Sequence, residues 1–473
     1  HPEYAGESSG YFLYSAQQMD TLSFIFYLIG LYVSTQGLIL YKKGCSCMNP
    51  STITLLFLLF AILMFVTEKL PLGLTSMIVC CGLVVTGVLD VKTAFAGFID
   101  SNVILFVAMF IVGGALFETG MAGRIGSIVT RFARGERTLI AAIMIIVGSM
   151  SGVLSNTGTA AVLIPVVTGI AAKSGYSRSR LLMPLVFAAA MGGNLSLIGA
   201  PGNLIAQSGL QEIGLSFGFF EYAIVGLPIL IAGILFYTTI GFSLLPNHPA
   251  PAKETVCPMP EEAIAAEHVS AWKQIVSLVV LILTLLAMIF EKQIGVKLYV
   301  SGCIGALVLI LTGVISEENA LKAIDLRTIF LFGGTLSLAA ALAETGAGEL
   351  IAHSVIRALG NQPSPYLLTF TVFILCCALT NFMSNTATTA LMVPICLSIA
   401  QGMGADPRAV LMACVIGGSC AYATPIGMPA NTMVVGIGGF HFRDFVKAGL
   451  PLIGIATIIS MIILPVAFPF FPG

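Results

Sequence analysis

One stretch decides the fold of this chain, and it occurs twice: Ser155-Asn156-Thr157-Gly-Thr-Ala-Ala-Val-Leu-Ile-Pro165, then Ser384-Asn385-Thr386-Ala-Thr-Thr-Ala-Leu-Met-Val-Pro394. The first copy lies in a segment, 138–172, that contains no Asp, Glu, Lys or Arg, and the second lies in a similar segment, 358–405. A continuous helix over 138–172 would be about 52 Å long, whereas the hydrocarbon core of a bilayer is about 30 Å thick. Each segment must therefore turn back inside a membrane, which predicts re-entrant hairpins over 138–172 and 362–401.

A second pair of motifs follows the hairpins. Gly199-Ala-Pro-Gly-Asn203 and Gly427-Met-Pro-Ala-Asn431 each interrupt a further stretch without charged residues. Because Gly and Pro disrupt helices, we predict broken helices over 181–211 and 409–436. Other matches between the two halves keep their order along most of the chain, so the sequence contains an internal repeat.

The composition indicates where such a chain can be stable. Of its 473 residues, 57% are hydrophobic and only 9% are charged, and the mean hydropathy is +1.01. A soluble globule of this size could not cover its surface with so few charges. The net charge of −1 also leaves no basic face for a nucleic acid. These values exclude a soluble enzyme, a disordered protein and a nucleic-acid partner, and they predict a multi-pass protein in a lipid bilayer.

Further apolar stretches are about as long as a membrane-spanning helix requires. They run over 22–40, 52–66, 70–89, 102–119, 221–245, 272–290, 297–314, 326–345 and 447–470. With the hairpins and broken helices, the prediction is an all-α membrane protein with about 11 transmembrane helices.

This interpretation divides the chain into four segments. They are 1–47, an N-terminal extension with the first transmembrane helix; 48–245, repeat 1; 246–271, a cytoplasmic linker; and 272–473, repeat 2. An odd number of crossings in each repeat would invert the second repeat. The positive-inside rule supports inversion, because four arginines (124, 131, 134 and 137) precede the first hairpin and only Arg357 precedes the second.

The broken segments carry the chemistry. Inverted repeats with paired breaks are typical of transporters whose site lies near the bilayer midplane. The Ser-Asn-Thr triplets can cap the helices that follow them, and helix N-termini favour an anion. Carbonyl, hydroxyl and amide oxygens beside them suit a hard cation such as Na⁺. His248, His268, His353 and His441 are scattered through loops, so we predict no histidine metal site. No catalytic motif is present, and we expect no enzymatic activity and no cofactor beyond a coupling Na⁺.

The duplicated triplet with its Gly-X-Pro-X-Asn partner resembles the divalent anion:sodium symporter (DASS) family, and the resemblance extends from about Pro50 to Pro472. It implies a homodimer with an elevator mechanism that moves small dicarboxylates, citrate or sulfate by Na⁺ symport or by anion exchange. The compact loops suit a bacterial inner membrane.

The resemblance also implies site residues. The implied substrate contacts are Asn156, Thr157, Ala200, Pro201, Asn385, Thr386, Met428 and Pro429. The implied Na⁺ ligands are Ser151, Ser155, Asn156, Gly199, Thr380, Met383, Asn385 and Gly427. Ala200 and Met428 depart from the family pattern, which often has Thr before the Pro.

The leading hypothesis is therefore a secondary active transporter of C4-dicarboxylates such as succinate, malate or fumarate, or of 2-oxoglutarate. The alternatives are a sulfate or citrate carrier of the same family and a cation/proton antiporter of the same superfamily. An antiporter should titrate an intramembrane carboxylate, and the broken segments contain none.

Overall fold

A computed structural model describes residues 48–67, 69–127, 135–248, 270–358, 360 and 364–470. Throughout these ranges the regular structure is helical, without a strand. The predicted span over 22–40, and all of the predicted linker except its ends, lie outside the described residues.

The helices of the first half end at a short 3₁₀ turn, Ile240–Leu244. They are α1 Pro50–Thr67, α2 Leu72–Val85, α3 Val91–Phe95, α4 Ser101–Glu118, α5 Met121–Ser127, α6 Glu136–Ser151, α7 Asn156–Ser174, α8 Arg178–Gly192, α9 Pro201–Glu212 and α10 Ala223–Thr238.

The helices of the second half begin after residue 270. They are α11 Ala271–Ile289, α12 Glu291–Ile294, α13 Leu298–Leu311, α14 Glu317–Ala323, α15 Leu326–Glu344, α16 Ala347–Ala358, α17 Pro365–Thr380, α18 Asn385–Gly402, α19 Pro407–Gly418, α20 Pro429–Gly438 and α21 Phe442–Ala467.

The order of helices in the first half recurs in the second, and the packing between the halves is reciprocal. Helix α2 packs on α15, while its counterpart α13 packs on α4. Likewise α8 contacts α20, and its counterpart α19 contacts α9. Such exchanged pairs are what two copies of one unit related by a pseudo-two-fold axis produce.

Five of the described segments are long and apolar enough to cross a membrane by length and composition. They are Pro50–Thr67, Val91–Glu118, Ala271–Ile289, Leu326–Glu344 and Phe442–Ala467. Large apolar side chains such as Leu311 and Val466 are exposed on the outside of the fold, as expected for a surface that faces lipid.

The centre of the fold consists of the two broken helices. Every residue from Leu181 to Gly192 in α8 is buried, and so is every residue from Ala409 to Gly418 in α19. A helix that is buried on all sides cannot carry unpaired charge, which explains why these stretches contain none.

Candidate functional site

The two hairpin tips lie where α6 meets α7 and where α17 meets α18. Ser155 has an extended backbone conformation, and its side chain accepts a hydrogen bond from the Gly158 backbone N–H at 3.0 Å. Ser384 does the same for the Ala387 N–H at 3.2 Å. The predicted capping role of both serines is confirmed, and each tip is the N-terminus of a long helix.

The two break loops, 193–200 and 419–428, are each held in shape by hydrogen bonds from one asparagine side chain. Asn203 is fully buried, and its Nδ2 donates to the carbonyl oxygens of Gly193 at 2.9 Å and Ser196 at 2.7 Å. In the second half, Asn431 likewise donates to two loop carbonyl oxygens, at 2.7 and 3.0 Å. The last residue of each Gly-X-Pro-X-Asn motif therefore fixes the loop before it.

Hydroxyl groups join each hairpin to the break loop of its own half. Ser196 donates to the carbonyl oxygen of Gly152, and its counterpart Thr424 donates to that of Asn381. The two halves are thus duplicated at the level of single hydrogen bonds, with Ser in the first half and Thr in the second.

Behind the first tip, several oxygen atoms converge. The Ser151 hydroxyl is 2.7 Å from Asn156 Oδ1 and 2.6 Å from the Ala189 carbonyl oxygen. In this orientation of the Asn156 amide, Oδ1 lies 3.3 Å from the Ala189 oxygen and 3.2 Å from the Gly199 carbonyl oxygen. Turned the other way round, its nitrogen donates to all three groups. Because unbridged oxygens at these distances repel, the hydrogen bonds favour the orientation in which the Asn156 nitrogen faces these three groups.

The second tip reproduces part of this arrangement. Thr380 Oγ1 is 2.7 Å from Asn385 Oδ1, and it donates to the Gly418 carbonyl oxygen. Met383 is fully buried, and a Cβ added to Gly427 would lie 2.6 Å from the Thr380 carbonyl oxygen. Three of the four predicted ligands of the second cation site, Thr380, Asn385 and Gly427, therefore lie close together behind or at the tip.

One cavity of about 1250 Å³ lies between the tips. Its walls include residues of both tips and both break loops. All eight predicted substrate contacts line it: Asn156, Thr157, Ala200, Pro201, Asn385, Thr386, Met428 and Pro429. Helices α7, α9, α18 and α20 all begin at this cavity, so four positive helix ends surround it. The role of these eight residues in substrate binding stays a prediction.

The predicted cation ligands divide into two sets. Ser155, Asn156 and Asn385 line the cavity. The other five lie behind the wall, in the buried oxygen clusters or next to them: Ser151, Gly199, Thr380, Met383 and Gly427.

The cavity also has charged residues, and sequence reasoning did not indicate Arg327 among them. Among its described lining residues, Asp325 and Arg327 are the charged ones. Asp325 caps α15, accepting from the Arg327 backbone N–H at 3.1 Å and from Thr328 Oγ1 at 2.6 Å. The residue that corresponds to Arg327 in the first half is Asn102, so the internal repeat offered no signal for this arginine.

The structure brings together two of the histidines that we interpreted as scattered. His248, His441 and Asp444 lie close enough to one another to hold a metal ion. Each is in a connecting segment or at a helix start, and His248 is 196 positions from Asp444. Only the packing of the chain after α10 against the start of α21 brings them into contact.

Comparison with known proteins gives the family. The sequence model of the citrate transporter family (CitMHS) matches residues 62–417. This chain belongs to that family. It is accordingly a multi-pass membrane transporter rather than an enzyme, as predicted.

Relatives cover most of the chain. An uncharacterized transporter of Haemophilus influenzae is 28% identical over 86% of this chain and 90% of its own length. YfbS of Escherichia coli, also described as an uncharacterized transporter, is 24% identical over 89% of this chain and all of its own length. The sodium-dependent dicarboxylate transporter SdcS of Staphylococcus saprophyticus is 23% identical over 85% of this chain and 84% of its own length. The predicted relation to di- and tricarboxylate transporters is thereby confirmed.

Solved structures support the fold. MtrF of Neisseria gonorrhoeae, from work on a class of antimetabolite efflux pumps, superposes with a TM-score of 0.58 at 15% identity, covering 90% of this chain and 97% of MtrF. The YdaH transporter of Alcanivorax borkumensis gives 0.55 at 14% identity, covering 87% and 97%. At these identities, the likeness concerns the fold alone.

Proposed function

We propose that this transporter carries a small divalent anion, most readily a C4-dicarboxylate, by Na⁺ symport or by anion exchange. The homodimer and the elevator mechanism, in which the hairpins and broken helices move against the remaining helices, are part of the same proposal. So are the inversion of the second repeat and the two-repeat division at 48–245 and 272–473.

The observation that carries this proposal is the convergence of duplicated tips on one cavity. Asn156 and Thr157 from one half and Asn385 and Thr386 from the other line it together. Two similar half-sites suit a ligand with two similar charged ends. Amide, hydroxyl and backbone N–H groups at helix starts hydrogen-bond carboxylates without requiring a buried cation from the protein.

The oxygen cluster at Asn156 supports Na⁺ coupling. The Ser151 hydroxyl and the Ala189 and Gly199 carbonyl oxygens converge on the Asn156 amide, whose nitrogen faces them in the favoured orientation, and such neutral oxygens are typical ligands of transported Na⁺. A cation would hold Asn156 with its oxygen inward and its nitrogen toward the cavity. Cation binding and the shape of the anion site would then be linked through one amide group.

Sulfate or citrate is the alternative substrate, because neutral helix ends do not select among divalent anions. The antiporter alternative is disfavoured by the described part of the cavity. Its acidic residue there, Asp325, is engaged in capping α15 and does not lie in the oxygen clusters. A proton exchanger is expected to have a carboxylate among its buried site residues, and the two described oxygen clusters contain none.

Binding of radiolabelled succinate to the purified protein tests the proposal. We expect saturable binding that Na⁺ strengthens, and loss of most of it in Asn156→Ala and Asn385→Ala. Asn319→Ala is the matched control, because Asn319 donates to Glu118 at an exposed position outside the cavity. Competition by unlabelled sulfate and citrate ranks the alternative substrates. Unchanged succinate binding in both tip variants would refute the assignment of the site.

A further inference from the structure

A second cluster of polar groups lies away from the cavity, at the start of α21. We propose that His248, His441 and Asp444 form a binding site for a divalent transition-metal ion of the zinc class. Two imidazole nitrogens and one carboxylate are a common ligand set for such ions, with a remaining position open to water. The set does not overlap with the residues proposed for Na⁺ or for the anion.

The distances in this cluster fit one ion. His248 Nε2 is 2.8 Å from Asp444 Oδ2, and His441 Nδ1 is 3.6 Å from the same oxygen. All three ligand atoms lie within 4.8 Å of one another. A tetrahedral ion with metal–ligand bonds of about 2.0 Å needs ligand atoms about 3.3 Å apart. Small side-chain rotations would therefore suffice to place an ion among the three groups.

The backbone holds His248 in position before any metal binds. The buried Ser179 hydroxyl donates to the Pro246 carbonyl oxygen at 2.8 Å and accepts from the His248 N–H at 3.1 Å. Asp444 is also oriented, because the His441 backbone N–H donates to its Oδ2 at 2.8 Å. Ligands fixed by such outer contacts lose less conformational entropy on binding a metal.

Helix capping alone does not account for the cluster. A capping interaction at the start of α21 explains the contact between Asp444 and the His441 backbone. It does not explain why His248, which comes from the other half of the chain, bonds to the same carboxylate oxygen. Nor does it explain the two imidazole rings with centroids 5.5 Å apart. A metal ion shared by the two imidazoles and the carboxylate would account for the approach of both rings to one oxygen.

The experiment is a titration of the purified protein, free of any affinity tag, with Co²⁺, followed by Zn²⁺ competition. Tetrahedral Co²⁺ absorbs strongly in the visible range and reports its ligands. We expect saturable binding, and loss of about tenfold or more in affinity in His248→Gln and in His441→Gln, since even outer-shell changes cost about 10–100-fold. His353→Gln is the control, because His353 is an exposed histidine on α16.

A thermal measurement separates loss of the site from misfolding. Without metal, His248→Gln and His441→Gln should unfold at temperatures close to that of the wild type, and only the rise in Tm caused by Zn²⁺ should disappear. Absence of saturable Co²⁺ binding to the wild type, or equal affinity in wild type and both variants, would overturn the proposal. Neither measurement requires substrate or transport, so the result does not depend on the proposed function.

Discussion

The asparagine that closes each break loop should be essential to the stability of the site. We predict that Asn431→Ala strongly destabilises the second half and that Asn203→Ala destabilises the first half to a lesser extent. Both side chains are fully buried. Each amide nitrogen donates to two loop carbonyl oxygens, at 2.7 to 3.0 Å. No other side-chain donor serves these four carbonyl groups among the hydrogen bonds of the described residues.

The magnitude follows from this geometry. Asn431→Ala leaves the Ala421 and Thr424 carbonyl groups without a donor, and each costs about 1–3 kcal/mol. Asn203→Ala orphans only the Gly193 carbonyl, because the Ser196 oxygen keeps the hydrogen bond from the Gly199 N–H at 3.3 Å. The expected loss is therefore about 2–6 kcal/mol for Asn431→Ala and about 1–3 kcal/mol for Asn203→Ala, against a typical stability of about 5–15 kcal/mol. Asn431→Asp should be worse than Asn431→Ala, because it sets a carboxylate oxygen against the carbonyl oxygens of Ala421 and Thr424.

Thermal unfolding in detergent, read by a thiol-reactive fluorophore, measures this loss. Cys376, Cys377, Cys414 and Cys420 are free and buried, so they become reactive only when the second half opens. Asn319→Ala is the control and should change the free energy of unfolding by no more than about 0.5 kcal/mol. If Asn431→Ala unfolds at the same temperature as Asn319→Ala, the assigned role of the buried amide is refuted.

Two further predictions concern a glycine pair and an aspartate. Alanine at Gly199 or Gly427 should abolish Na⁺-stimulated uptake into proteoliposomes, because the added Cβ would lie 2.5 or 2.6 Å from a backbone oxygen; Gly436→Ala, which has open space, should retain it. Wild-type Na⁺-stimulated uptake in both Gly199→Ala and Gly427→Ala would contradict a closely packed cation site. For Asp406, burial acts to raise the pKa, but hydrogen bonds from Arg408 outweigh it and the pKa is lowered. Its carboxylate therefore stabilises the fold above the unfolded value of about 3.9, and this stabilisation is lost as the pH falls through the lower folded pKa. Asp406→Asn should lower Tm at pH 7, and the difference from wild type should shrink only below about pH 4; a difference independent of pH would contradict this.

Much of the site could be predicted because it is duplicated. Ser155 and Ser384 recur in charge-free stretches too long for one helix, so both the position of the turn and the capping role followed from length and residue type. Asn203 and Asn431 recur in the same way, but their contacts with loop carbonyl groups depend on the three-dimensional path of the breaks. A pattern can show that a residue is repeated without showing what it bonds to.

Arg327 and the cluster at Asp444, which were missed, have no counterpart in the other half. Arg327 corresponds to Asn102, which is buried and donates to Ser208 and Gln211 instead of facing the cavity. The cluster at Asp444 depends on a contact between positions 196 residues apart, and neither half contains a second copy of it. Single long-range contacts of this kind leave no periodic signal in a sequence.

The central claim is that the two tips form one anion site whose occupancy is coupled to ions. Uptake of labelled succinate into proteoliposomes tests it most directly, with an inward Na⁺ gradient present or absent and unlabelled dicarboxylate inside or not. The account predicts uptake that requires Na⁺, internal dicarboxylate or both, and that is lost in Asn156→Ala and Asn385→Ala. Uptake of neither succinate nor sulfate nor citrate under any of the four conditions would contradict it.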